Sequence, residues 1–329
     1  MKTRVLIKEG EYRLAKSGVM DAKVDSEELF CFMKKWDKVM LFLRKEEEVD
    51  KETEAKYLEL IERRGSRIPL QHITGVQEFM GYEFKVNQDV LIPRQDTEIL
   101  VTEAAQRIMK KQKADELKAR QGILKLLKNK PKYEVLDLCC GSGAIGISLS
   151  KICEDVRVTG ADLSGRALVV AADNAKALRT EMEFYKGDMF QALDSHEVIT
   201  VSSKGVVRKS NGRRGSDKKR NADKARFDMI VSNPPYIKHN TIAVLQEEVK
   251  KYEPISALDG GKDGLDFYRT IVDEAAEWLK PGGELLLEIG HDQGEDLRKL
   301  IRDKGLYTPA VVIKDLRGRD RVVSCARLD

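Results

Sequence analysis

The sequence predicts an α/β protein with a mostly parallel, seven-stranded sheet, an antiparallel C-terminal edge and a small N-terminal helical domain. From Tyr133 onward, short apolar runs alternate with helical patterns, which is typical of strand–helix–strand units covered by helices on both faces. A glycine-rich turn follows the first of these strands. Two strand-like runs separated by a short gap end the chain and indicate the antiparallel edge. These observations favour a Rossmann-like architecture.

The first 72 residues predict the helical domain. Residues 25–28 resemble a helix start, and apolar residues follow at helical spacing as far as Leu43. A second helix is predicted over residues 51–64, where two arginines and a glycine form a typical helix end. Nothing in these residues separates a role in stability from a role in substrate recognition.

Residues 73–92 predict a hairpin that links this domain to a second one, over residues 93–329. An amphipathic helix over 97–109 and a charged helical extension over 110–132 open the second domain. Its predicted strands are 134–138, 156–162, 182–186, 227–232, 284–289, 307–314 and 321–327, and its predicted helices are 143–153, 165–178, 241–250, 264–280 and 292–304.

Composition excludes several classes of protein. Hydrophobic residues make up 41% and charged residues 35%, and no apolar run has membrane-spanning length. The N-terminus is too poor in apolar residues for a signal peptide, so a cytoplasmic protein without a membrane partner is expected. Five cysteines without a C-x-x-C pair and four scattered histidines argue against a disulfide framework and a metal site.

One segment accounts for the net charge of +4. Residues 201–226 contain ten lysines and arginines against Asp217 and Asp223, a local charge of +8, so the remainder of the chain carries −4. Because the segment is also rich in Ser, Gly and Asn, we expect a disordered basic insertion in an otherwise mildly acidic protein.

The sequence Asn233-Pro234-Pro235-Tyr236 stands at the end of the strand predicted over 227–232. Two consecutive prolines stiffen this loop and prevent it from continuing the strand. The Asn233 side-chain oxygen and the Pro234 carbonyl are acceptors that could hold the two hydrogens of a planar NH2 group, with Tyr236 covering its face. A rigid strand-to-helix turn is the alternative for the isolated tetrapeptide.

Glycines and other small residues at the first strand-to-helix turn let the backbone approach a ligand closely. The turn reads Cys139-Cys140-Gly141-Ser142-Gly143 and follows Asp137, which is expected to face the ligand's ammonium group or a bound water. As a bare pattern, these glycines also match a dinucleotide-binding fingerprint.

Acidic residues end the next two strands. Asp162 could accept both hydroxyls of a ribose, while Asp188 and Met189 could grip an adenine ring. Asp162 could instead cap a helix, and Asp188 could simply form a turn. Three such sites on successive strand ends predict S-adenosylmethionine as the cofactor.

These motifs, in this order, resemble a class I methyltransferase that acts on an amino or amide nitrogen. Further stretches are similar to the peptide chain release factor protein-(glutamine-N5) methyltransferases, namely residues 91–98, 252–268, 287–290 and 315–321. The similarity covers nearly the whole chain except the regions near 110–130 and 201–226. The chain departs from the family at Cys139-Cys140, where glycine and another small residue are usual.

The resemblance implies methyl transfer from S-adenosylmethionine to the glutamine of the Gly-Gly-Gln motif in class I release factors, which would be the protein partner. It implies that Asn233, Pro234, Pro235 and Tyr236 bind the glutamine and carry the catalysis, with Asn233 also close to the cofactor. A monomer without a stable nucleic-acid partner is expected.

Glutamine methylation of a ribosomal protein, adenine-N6 or cytosine-N4 methylation of DNA, and non-catalytic RNA binding are the alternatives. The sequence shows no separate target-recognition domain, which argues against DNA as the substrate.

Overall fold

The computed structural model describes residues 1–120, 132–194, 197–210 and 226–329, and these form two compact units. One unit comprises Met1–Val76, Val86–Gln88 and Val244–Glu253, and the other comprises Gln77–Lys85, Asp89–Ala243 and Pro254–Asp329. In the described part of the chain, no helix is long and apolar enough to cross a membrane.

The first unit is helical. Its helices are α1 (Thr3–Lys16), α2 (Ala22–Lys34), α3 (Lys38–Arg44), α4 (Lys51–Gly65) and α5 (Leu70–Thr74), joined much later in the chain by α9 (Glu247–Tyr252). Leu6, Leu29, Phe30 and Tyr57 are fully buried in its core.

The prediction of a single helix from about residue 25 to Leu43 is wrong, because the structure has two helices there, α2 and α3. Lys35 has a left-handed backbone, with φ of 54°, which ends α2. Asp37 then caps α3 by accepting a hydrogen bond from the Met40 amide at 2.7 Å. Apolar spacing continues through this break, so it could not reveal the break.

The second unit is built around a nine-stranded sheet. A two-stranded hairpin, β1 (Val76–Phe79) and β2 (Tyr82–Lys85), precedes it in the chain. The sheet consists of β3 (Tyr133–Leu138), β4 (Val156–Asp162), β5 (Met182–Lys186), β6 (Glu197–Ser202), β7 (Gly205–Ser210), β8 (Phe227–Ser232), β9 (Leu279–Glu288), β10 (Val311–Lys314) and β11 (Asp320–Ala326). The helices are α6 (Glu98–Arg120), α7 (Ala144–Ile152), α8 (Gly165–Ala177), α10 (Asp266–Trp278) and α11 (Gly294–Lys304).

The strand order is β10-β11-β9-β8-β3-β4-β5-β6-β7. The strands β9, β8, β3, β4 and β5 run parallel, and β11 pairs antiparallel with β9. The predicted fold class and antiparallel C-terminal edge are therefore confirmed. Separate hydrophobic clusters include Val135 and Ile147 in one, and Leu136 and Tyr268 in the other.

The sheet has nine strands rather than the predicted seven, because residues 201–210 are not disordered. They belong to the antiparallel pair β6–β7, in which Val201 faces Val206 and is 3% exposed. Valines, Ile199 and Thr200 favour this strand pairing, and the basic composition of the following stretch concealed it. Residues 211–225 of the expected insertion lie outside the described residues, as does the stretch 121–131 of the expected helical extension.

Candidate active site

A cavity of about 260 Å³ lies at the carboxyl ends of the parallel strands. The chain passes from β3 to β4 and β5 on one side and later places β8 on the other side of β3. Such a reversal of strand order opens a crevice in which ligands of α/β sheets bind. The cavity is lined by Cys139, Cys140, Gly141, Ser142, Asp162, Asp188, Met189, Asn233 and Pro235, among others.

The turn after β3 forms one wall of this cavity. Cys139 and Gly141 both have left-handed backbones, with φ of 59° and 53°. A Cβ atom on Gly141 would meet nothing within 4 Å, so the open space lies directly over the backbone there. Burial raises the pKa of the Cys139 and Cys140 thiols, which keeps both protonated and uncharged beside the cavity.

Asp162 fixes this turn from the end of β4. Its Oδ2 accepts a hydrogen bond from the Gly141 amide and its Oδ1 accepts one from the Ser164 amide, both at 2.8 Å. Ser164 caps α8 by accepting from the Ala167 amide at 3.1 Å, so Asp162 is not the capping residue. Burial raises the pKa of Asp162, and these backbone hydrogen bonds act against that rise.

Asp188 and Met189 follow β5 and line the cavity beside the turn. Met189 has a left-handed backbone, with φ of 46°, and its Sδ lies 3.9 Å from the Sγ of Cys139. The structure therefore brings the ends of β3, β4 and β5 together at one cavity. Most of the cavity surface is apolar, and carboxylates are supplied by Asp89, Asp162, Asp188 and Asp259.

Asn233 reaches the same cavity from the end of β8. Its Nδ2 donates a hydrogen bond to the Thr97 hydroxyl oxygen at 3.3 Å. The strand end is fixed by Ser232, whose hydroxyl donates to the Leu138 carbonyl at 2.6 Å. Pro235 also lines the cavity.

Four predicted site residues are not among those that line the cavity: Asp137, Gly143, Pro234 and Tyr236. The expectation that Asp137 faces a ligand needs correction. It is fully buried, and its Oδ2 accepts from the Gly146 amide at 2.8 Å because the first turn of α7 leaves that amide free. Tyr236 directs its hydroxyl to Glu288 Oε1 at 3.2 Å.

Gly143 serves packing and backbone geometry. Its φ is 78°, and a Cβ atom there would come within 2.9 Å of Ile147 Cδ1 and 3.2 Å of Ala171 Cβ. A larger residue would force α7 away from α8.

Several residues that the structure brings to the site carry no functional pattern in the sequence. Thr97 and Phe267 line the cavity, and Glu288 lies buried behind Tyr236. All three fall within stretches on which the family resemblance rests, so the signal was present. Their roles were not readable because each depends on contacts far apart in sequence.

The chain is similar to known proteins along nearly its whole length. A family model described as PrmC N-terminal domain matches residues 6–75, and one described as methyltransferase small domain matches residues 110–203. A protein of Clostridium botulinum named release factor glutamine methyltransferase is 33% identical, covering 98% of each chain. The chain belongs to the release factor glutamine methyltransferase family.

Two further members carry the same name. The Clostridium acetobutylicum protein is 34% identical over 92% of this chain and 90% of its own length. The Geobacter sulfurreducens protein is 36% identical over 94% of this chain and 91% of its own length. The family resemblance deduced from the motifs is therefore confirmed, and the chain is that of a methyltransferase.

Proposed function

We propose that this protein transfers a methyl group from S-adenosylmethionine to the side-chain amide nitrogen, N5, of the glutamine in the Gly-Gly-Gln motif of class I release factors. The observation that carries the proposal is the position of Asn233. Its side chain lines the cavity that the ends of β3, β4 and β5 also form, so an amide acceptor lies beside a candidate cofactor site.

The residues at the ends of β3, β4 and β5 fit S-adenosylmethionine. The open space over Gly141 suits close approach of an amino acid moiety to the backbone. The remaining lone pairs of the Asp162 carboxylate suit a ribose diol, and Asp188 with Met189 suits the polar edge and apolar face of adenine. When bound, this cofactor supplies an electrophilic methyl group on a sulfonium sulfur.

The loop after β8 would hold the substrate amide. Because Asn233 Nδ2 already donates to Thr97, its Oδ1 is left to accept a hydrogen bond from the glutamine NH2. The Pro234 carbonyl would accept the second hydrogen. Pro235 would support the loop, and Tyr236 would keep its shape by donating to Glu288.

Catalysis would rest on orientation and electrostatics. An amide nitrogen is a weak nucleophile because its lone pair is delocalised into the carbonyl. Two hydrogen bonds accepted by Asn233 and Pro234 would polarise the NH2 group and fix its nitrogen in line with the methyl carbon. The bound cofactor would supply the methyl group and leave as a neutral thioether, and the surplus proton of the methylated nitrogen would pass to solvent.

The N-terminal helical unit would contribute to recognition of the release factor. Support comes from the PrmC N-terminal domain model, whose match over residues 6–75 falls entirely within that unit. The shared name of the relatives favours a release factor over ribosomal protein or DNA as the substrate.

Incubation with labelled S-adenosylmethionine tests the function. The label should enter an intact class I release factor at the Gly-Gly-Gln glutamine, as located by mass spectrometry of its peptides. It should not enter DNA, ribosomal protein or a release factor in which that glutamine is replaced by alanine. Asn233→Ala should abolish the transfer while isothermal titration shows nearly unchanged cofactor affinity. Label in DNA, or loss of cofactor binding by this variant, would contradict the proposal.

A further inference from the structure

A buried polar cluster lies behind the loop that carries Asn233, and the proposed mechanism uses only two of its contacts, Asn233 with Thr97 and Tyr236 with Glu288. Thr97 is 4% exposed, Glu288 1% and Arg321 8%. They come from the 3-10 turn Gln95–Thr97, from the end of β9 and from β11. Ionisable groups buried this deeply are costly unless each is paired, so the pairing needs an explanation.

The directions of the hydrogen bonds in this cluster follow from the chemistry of its members. An ionised carboxylate only accepts, and Glu288 Oε1 accepts from the Tyr236 hydroxyl at 3.2 Å. The Thr97 hydroxyl lies where it lowers the pKa of Glu288 as a hydrogen-bond donor does, and Glu288 Oε2 has no other partner among the described residues. The Thr97 hydroxyl has a single hydrogen. Once that hydrogen is given to Glu288, only lone pairs remain on its oxygen to meet Asn233, whose Nδ2 donates to it.

We propose that Thr97 and Glu288 are positioning residues that hold the Asn233 amide with its oxygen, rather than its NH2, available to the substrate. This inference rests on the proposed function, because it gives the orientation that a substrate NH2 group requires. The reverse orientation would place two NH2 groups opposite each other, without an acceptor between them.

We call the chain of contacts from Glu288 through Thr97 to Asn233 the relay. The sheet anchors it. Arg321 Nη2 lies 3.0 Å from Asp96 Oδ2, which ties the Gln95–Thr97 turn to β11. The Ile289 amide donates to the Arg321 carbonyl at 2.8 Å, and the Tyr268 hydroxyl donates to the Glu288 carbonyl at 2.7 Å. The strand end, the turn and α10 thus hold the relay in place independently of the substrate.

The protonation state of Glu288 sets the direction of the relay. Burial raises the pKa of Glu288 to about 7, while the Thr97 hydrogen bond, the Arg321 charge and the Tyr236 hydrogen bond lower it and Asp96 raises it. Tyr268 is the other titratable group that faces it. A protonated Glu288 can donate to Thr97, which can then donate to the Asn233 oxygen and turn the asparagine round. The Asn233 orientation that presents its oxygen to the substrate therefore requires ionised Glu288, and it is favoured at higher pH.

Two variants of Thr97 test the relay without any substrate. The Asn233 side-chain NH2 signal is assigned in a ¹⁵N spectrum as the one lost in Asn233→Asp. Thr97→Val, which removes only the hydroxyl, should shift this signal, whereas Thr97→Ser should retain its position. If the signal is the same in Thr97→Val as in the wild type, Asn233 does not bond to Thr97 and the inference is overturned.

The same variants connect the relay to catalysis. Thr97→Val should lower kcat for the release factor by about 10-fold to 100-fold with cofactor affinity nearly unchanged, and Thr97→Ser should restore it. Glu288→Gln should flatten the rise of kcat with pH near 7, a readout that a merely structural role would not move. Equal kcat values for Thr97→Val and wild type would refute the positioning role. Absence of transfer by the wild type would refute the proposed function instead, and the substrate-free spectrum distinguishes the two failures.

Discussion

The carboxylate of Asp162 holds the turn after β3 and is the proposed acceptor for the ribose of the cofactor. Asp162→Ala should weaken S-adenosylmethionine binding by about 1.5 to 3 kcal/mol, since hydrogen bonds to a charged group are lost. Thermal stability should also fall, because the Gly141 and Ser164 amides lose their acceptor. Asp162→Asn, which keeps one acceptor oxygen, should show a smaller loss of affinity by isothermal titration. An unchanged dissociation constant in Asp162→Ala would leave the carboxylate a purely structural role.

Asp137 gives stability a dependence on pH. Burial raises its pKa from the ordinary value of 3.8 to about 7. The hydrogen bond from the Gly146 amide lowers the pKa but does not offset the effect of burial. Between these values the folded state keeps a proton that the unfolded state has lost, so this residue's contribution to stability falls as pH rises, by up to about 1.4 kcal/mol per pH unit.

Replacing this carboxyl by an amide should remove that dependence. Asp137→Asn can still accept from the Gly146 amide, so its free energy of unfolding should fall less steeply between about pH 4 and pH 7 than that of the wild type. Urea unfolding at a series of pH values measures the two slopes. Identical slopes would mean that Asp137 titrates alike in the folded and unfolded states.

Residues at strand ends were predictable, and residues behind them were not. Asp162 and Asn233 follow buried apolar runs, and the carboxyl ends of parallel strands meet at one edge, so sequence alone places them together. Asp137 lies at a similar position, but the sequence does not show that a free amide of α7 takes its carboxylate. Thr97 and Glu288 meet through long-range folding that no local pattern records.

Among the elements, the β6–β7 hairpin departs most from expectation, and the burial of Val201 tests it. Val201→Ala should lower the free energy of unfolding by about 1.6 kcal/mol, the worth of two buried methyl or methylene groups. Val207, in the same hairpin but 48% exposed, provides the matched control, and Val207→Ala should cost much less. Equal effects in urea unfolding would indicate that Val201 is not buried against the sheet.

The helical unit depends on a buried ion cluster. Arg64 is 7% exposed, and its Nε lies 2.7 Å from Asp25 Oδ2 while its Nη2 lies 3.1 Å from Glu248 Oε1. Arg64→Met would leave the buried Asp25 carboxylate without its cationic partner, while the half-buried Glu248 keeps Arg67, and should cost about 3 to 5 kcal/mol. Arg13→Met, which removes an exposed pair with Glu9, should cost at most about 1 kcal/mol. Similar losses for both variants by chemical unfolding would rule out the special role of Arg64.

At the scale of the whole molecule, the division of the chain was only partly readable. A helical N-terminal region and a strand–helix region were evident from periodicity. The helical unit also takes in Val244–Glu253, which lies far along the chain and contains Glu248. Ion pairing between Glu248 and two arginines near residue 65 carries no sequence period, so the pattern could not assign this segment.

The positive charge of the chain is concentrated in the segment that follows β7 in the sequence. Residues 211–225 contain six lysines and arginines against Asp217 and Asp223. Replacing them by a Gly-Ser linker of equal length should leave thermal stability and cofactor affinity unchanged, because the described sheet and cavity contain none of these residues. We also expect catalytic efficiency towards an intact release factor to be unchanged at low salt.

A steering role for this charge would give a different result. Attraction of an acidic partner acts over the Debye length, about 10 Å at 0.1 M salt, and is screened as salt increases. Efficiency of the linker variant would then fall at low salt and match the wild type at high salt. A second variant, in which the six basic residues become glutamine within the native segment, removes charge but keeps the length and most of the sequence. Loss in the linker variant alone, at every salt concentration, would show that the segment contributes specific contacts rather than charge.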